Sequence, residues 1–139
     1  MSSSQDQDLV VRASDTIRVV INIEQAYDVL DELASNPRID TFESALYKIT
    51  RLVNKVHRDL RDKLSKGGLS EECEKSISHA VSLLERWRDI AYELDKYVKN
   101  LEEREQRIAL KRFAAYALAP DKVVTSVIEC LEKRREQEG

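Results

Sequence analysis

Tyr47, Arg51, Asn54, Arg58 and Arg61 succeed one another at spacings of four and three, with Lys48 and Lys55 beside them. On an α-helix that spacing sets the side chains in one stripe. The stripe lies roughly 150 to 200° around from the apolar residues of the same segment, which places it in water. A ridge of cations bearing one aromatic ring and one amide has the chemistry of a phosphate-backbone surface. Arginine and lysine neutralise phosphates while the tyrosine stacks or hydrogen-bonds. The same ridge also suits an acidic patch on a protein. Lys48 with Arg51, Arg51 with Lys55 and Arg58 with Arg61 are like-charge neighbours, each costing roughly 0.2–0.5 kcal/mol, and only Asp62 stands near enough in sequence to relieve Arg58.

A second basic group, Arg104, Arg107, Lys111 and Arg112, follows later, where Glu103 can pair with Arg107 four residues on. That pairing marks a solvated face. Arg51 and His57, with five residues between them, match the R-x4-6-H spacing of HEPN-type ribonucleases, which are also helical bundles. The chain resembles that family over seven residues, and Leu52 stands where the family carries a polar residue. The resemblance implies metal-independent RNA cleavage by these two side chains. On an unbroken helix, however, six residues turn them about 120° apart. His57 therefore fits the edge of the apolar face, and His79 has no recognisable partner.

Other chemistry is not encoded. Two histidines and no ExxH leave no di-iron bundle site, and there is no P-loop, GxGxxG, GxSxG or HExxH. Glu71, Glu72, Glu102 and Glu103 read as capping and solvated carboxylates, since nothing buries a pair of them. Trp87 and Tyr97 belong to the core or its margin. Cys73 and Cys130 sit on apolar helical positions without CxxC or Cys/His spacing, and are expected to be inert thiols in a reducing compartment.

The elements that must carry these residues are helical. Only three Gly and two Pro occur in 139 residues, too little turn chemistry for an all-β fold. From Leu9 to Ala34 one helix is expected on Val10, Ala13, Ile17, Val20, Tyr27, Leu30 and Ala34. The strand-like alternation of Ile17, Val19, Ile21 and Ile23 has no other strand to pair with. Ser35-Asn36-Pro37 ends it, and Asp40 with Glu43 forms a capping-box pattern opening the second helix. That helix carries Phe42, Ala45, Leu46, Ile49, Leu52, Val53, Val56, Leu60 and Leu64 and stops at Gly67-Gly68.

The third, Ser70 to Leu101, repeats Cys73, Ile77, Ala80, Leu84, Trp87, Ala91, Leu94, Val98 and Leu101. It reads as a rod of roughly 45 Å around which the rest is organised, capped by Ser70. Glu102 to Arg107 offers nothing apolar, so a break falls near Asn100. Ile108, Ala109, Phe113, Tyr116 and Ala117 form a fourth helix. Pro120, in the first turn, opens a fifth on Val123, Val124, Val127, Ile128 and Leu131.

Residues 1–8 and 132–139 are expected to fray, leaving 9–131 as one helical-bundle domain. Net charge alternates along the chain: −5 over residues 1–37, +4 over 38–69, −4 over 70–105 and +2 over 106–139, summing to −3. Acidic, basic and acidic helices thus lie side by side, which favours this packing over mispairings. A sequence pI near 5.5 lies below that of a dedicated nucleic-acid binder. Few Asn, Gln and Met beside many Glu, Arg, Ile and Val is a composition seen in thermophiles. The amino-terminal stretch has no leader pattern and no apolar run spans a bilayer, so a cytoplasmic location is expected.

The expectation is an all-α antiparallel bundle of three long helices plus a shorter C-terminal pair that closes one side or joins a second copy. Such a protein is a non-enzymatic interaction or assembly module without cofactor or metal, holding a protein partner. An accessory nucleic-acid-binding subunit using the ridge is the alternative, and a HEPN-like ribonuclease the remote one.

Overall fold

Val10, Ala13, Ser14 and every residue from Thr16 to Ile21 are buried, and a helix buried on all sides is one that others surround. The computed structural model describes the backbone of residues 3–138 and the side chains of residues 9–132. Its helices are α1 (Ser3–Glu24), α2 (Tyr27–Ser35), α3 (Ile39–Lys66), α4 (Glu71–Glu85), α5 (Trp87–Lys99), α6 (Glu103–Leu118) and α7 (Lys122–Glu138), with no strand among the described residues. The all-α class stands. The organising element, however, is α1, which packs against α3, α4, α5, α6 and α7. The expected centre, Ser70 to Leu101, lies beside it.

The stretch from Thr16 to Ile21 is buried on every side, so the alternation of Ile17, Val19, Ile21 and Ile23 was the trace of a buried helix and not of a strand. Where 1–8 was expected to fray, α1 begins at Ser3, with residues 1 and 2 outside the described residues; α7 continues through the charged tail to Glu138. The single helix expected from Leu9 to Ala34 is broken at Gln25, whose φ of 53° is left-handed. Ala26 N–H reaches back to Ile21 C=O at 3.0 Å, the six-to-one bond of a Schellman end. Gln25 occupies the position where glycine is usual, so no glycine announced the stop.

The third rod is likewise interrupted. Arg86 remains right-handed (φ −84°, ψ −9°), but its N–H bonds Leu83 C=O at 3.1 Å, tightening one turn between α4 and α5. Beyond the kink Trp87 is buried and its Nε1–H donates to Thr50 Oγ1 of α3 at 2.9 Å. The apolar spacing runs through the kink unchanged, which is why the pattern hid it. The break near Asn100 is present, α5 ending at Lys99 and α6 opening at Glu103. Gln106 Nε2 holds the corner by donating to Val98 C=O at 3.2 Å.

The last two helices do not form a pair of their own. α6 lies on α1 and α2, whereas α7 lies on α4 and α1. One buried arginine joins them. Arg18 on α1 donates from Nε and Nη2 to Tyr116 C=O at 3.0 and 2.6 Å and from Nη1 to Asp15 and Asp121 at 2.7 and 2.8 Å. Asp121 caps α7 with its other oxygen, accepting from Val124 N–H at 2.9 Å. Pro120 therefore precedes the cap instead of sitting in the first turn. Ser70 caps α4 as expected, accepting from Cys73 N–H at 3.1 Å. The Asp40/Glu43 capping box does not form: α3 starts after an extended Arg38 with no side-chain cap, and Glu43 turns to Lys99 at 3.0 Å.

Cys73 and Cys130 are joined in a disulfide, which corrects the expectation of inert thiols. Residues 57 apart in sequence are brought together by the α4–α7 contact, a proximity that spacing along the chain does not reveal.

Candidate nucleic-acid and partner interface

The second expected helix is real and amphipathic. Phe42, Ala45, Ile49, Val53, Val56 and Leu60 are buried on one side of α3, with Phe42 meeting Phe113 of α6 edge to face at 6.2 Å. With that face fixed, the opposite one is forced outward. Tyr47, Lys48, Arg51, Asn54, Lys55, Arg58 and Arg61 are all exposed, Tyr47 by 67%.

The members of the ridge differ in what they are free to do. The Arg51 guanidinium lies over the Tyr47 ring, 6.0 Å from its centre, at the outer limit of cation–π range. Lys55 turns inward to Glu24 of α1 at 2.7 Å. Its hydrogen bond to Glu24 and that carboxylate's charge hold the ammonium pKa above the ordinary lysine value. Lys48, Arg51, Arg58 and Arg61 have no ion pair among the described residues, and Asp62 pairs with Lys66 at 3.1 Å and not with Arg58.

A second exposed tyrosine, Tyr92, which the sequence reading did not select, stands on α5, a helix packed against α3. α5 runs antiparallel along α3, tied at Lys99–Glu43 and at Trp87–Thr50. Between these ties each helix exposes a tyrosine, Tyr47 on α3 and Tyr92, 70% exposed, on α5. Arg88 and Lys96, one turn to either side of Tyr92, are exposed and without ion pairs among the described residues. The signal was available as Arg88-x3-Tyr92-x3-Lys96, a stripe at spacing four outside the apolar one.

Arg51 and His57 are not brought together. His57 is half-buried against α4, its Nε2 3.2 Å from Glu85 Oε1, while Arg51 is stacked on Tyr47 in the open. The pocket that an R-x4-6-H pair requires is not formed between them. The expected Glu103–Arg107 pair is not formed either. Arg107 instead shares a cleft of about 680 Å³ with Arg38, Asp40 and Glu103, and Arg112 lies over Tyr116 at 5.7 Å. His79 is exposed. Among the described residues no group of three or more His, Cys, Asp and Glu could hold a metal ion, and no helix is long and apolar enough to cross a membrane.

No family model matches the sequence, and no solved structure matches it. The chain is 35% identical over 128 residues to the CRISPR system associated protein Csa5 of Thermoproteus tenax, an alignment covering 92% of this chain and 94% of that protein.

Proposed function

The chain belongs to the Csa5 family of CRISPR system associated proteins, and from that premise we propose that it is a non-enzymatic assembly subunit, a cytoplasmic helical module that holds other proteins of such a system together. The observation that carries the reading is the division of labour on α3: an inner face committed to the core, and an outer face on which Lys48, Arg51, Arg58 and Arg61 have no ion pair among the described residues while Lys55 alone is tied back to Glu24. Like-charge neighbours at one-turn spacing are retained at a cost in stability, as expected where a surface serves a partner. Co-purification with the other proteins of the same CRISPR system tests it; a chain that elutes free of all of them ends the assembly reading.

A second reading is favoured by one feature, the Tyr47–Arg51 stack among unpaired cations. RNA-guided complexes hold nucleic acid in positively charged channels and must stabilise a displaced single strand. Aromatic rings with flanking cations serve an unpaired strand well, because every base has a face to stack on. The ridge would then lie along a strand, with Lys48, Arg51, Arg58 and Arg61 on phosphates. The measurement is binding of a fluorescent single strand across a salt series. Four phosphate contacts give a log–log slope of about −3, and the slope moves toward zero by about 1.4 in Arg51→Ala/Arg58→Ala. Binding that ignores salt, or survives that double variant, removes this reading.

The homodimer through α6 and α7 rests on the exposed Ile108 and Tyr116 of α6, and light scattering after size exclusion decides it. A ribonuclease is revived only by RNA cleavage that disappears in His57→Ala.

A further inference from the structure

α7 is lightly attached. Val124 and Val127 are its buried aliphatic residues, Val123, Ile128 and Leu131 being only partly covered. Its first turn is tethered through Asp121 to Arg18, and Ser126 shares a 2.6 Å hydrogen bond with Ser76 of α4. At the outer end of the apolar stretch, just before the exposed Glu132, the fixture is covalent: Cys130 to Cys73. Both sulfur-bearing residues are nearly enclosed, exposed by 6% and 8%, so a reductant reaches them only when this end of α7 lifts.

We propose that the Cys73–Cys130 disulfide is a redox lock on α7, and that its reduction lets α7 open from α4 as a local unit while the remaining helices stay folded around α1. The opening step is ordinary exchange with a dithiol reductant. One of its thiolates attacks a sulfur of the pair, the bond between Cys73 and Cys130 breaks, and a mixed disulfide forms. The reductant's second thiol then expels the bound cysteine. The two hydrogens of the dithiol end on Cys73 and Cys130, and the reductant departs as its own disulfide. Without the bond, two buried valines, the partly covered Val123, Ile128 and Leu131, the capped first turn with its tie to Arg18 and a serine pair remain to hold α7, a small set of contacts that places it toward the low end of the local-unfolding scale.

Amide hydrogen exchange on the full chain tests this, comparing oxidised protein, protein treated with a dithiol, and Cys73→Ser/Cys130→Ser. In the reduced and doubly substituted forms, protection over residues 123–131 is expected to fall at least about tenfold further than over residues 13–21 of α1. Equal losses in both helices would mean that the bond adds only to global stability, and no loss in either would mean that it locks nothing; both outcomes overturn the proposal. So would two free thiols titrated in denatured protein never exposed to reductant, or a disulfide that a dithiol leaves intact under native conditions.

Discussion

At the scale of single residues, Arg18 has the most to lose. It is buried to 8% exposure and delivers hydrogen bonds to the end of α6 and to the cap of α7 at once. Removing one member of a buried ionic network costs about 3–5 kcal/mol, and the partial exposure of Asp15 and Asp121 reduces this. Arg18→Met is therefore expected to cost about 2–3 kcal/mol, read as a lower urea midpoint, while Arg18→Lys recovers part of it. Thr50→Val leaves the buried Trp87 N–H without its acceptor; thermal melts should show a loss of about 1–2 kcal/mol. The lysine pairs respond to pH instead. Lys99 is raised by its hydrogen bonds to Glu43 and then Asp95, and Lys55 by Glu24. A lysine whose pKa is higher folded than unfolded contributes fully below the unfolded value, about 10.4, and that contribution is lost as pH climbs through the folded one. Stability measured from pH 9 to 12 should thus fall less steeply in Lys55→Met/Lys99→Met than in the unaltered chain.

Among the elements, those with strong local punctuation were readable. α3 could be drawn from its apolar stripe and Gly67-Gly68, and its outward ridge followed by geometry, because a helix with one face in the core has no choice about the other. Ser70 announced α4, and substituting it by Ala should cost about 1 kcal/mol. The breaks that stayed hidden are those made without the customary residue. At Gln25 a side-chain-bearing residue takes a left-handed conformation, so Gln25→Gly is expected to raise stability by about 0.5–1 kcal/mol in chemical denaturation, glycine bearing no such strain. At Arg86 the backbone never leaves the helical region, so no local preference marks the kink. The capping box failed because Glu43 had a distant claimant, Lys99. Tyr92 lies outside the apolar stripe that marks its helix, and the disulfide stayed hidden because no count of intervening residues reveals which helices meet.

Taken whole, the molecule sets its stability and its surface against one another. The ridge on α3 repels itself, so replacing its arginines should not weaken the fold: Arg51→Glu/Arg58→Glu is expected to melt at or slightly above the temperature of the unaltered chain while losing whatever the ridge binds. A melting point lowered by several degrees would show that these arginines serve the interior after all. The enclosure of α1 has a further consequence, for the order in which the chain can mature. Ser14 and Arg18 wait for carbonyl groups 99 and 98 positions downstream. During synthesis, then, α3, α4 and α5 can cover part of α1, but the buried Ser14 and Arg18 gain these acceptors only once α6 has been delivered. The cover over α1 is thus completed late, and until then its uncovered apolar residues give a chaperone something to grip.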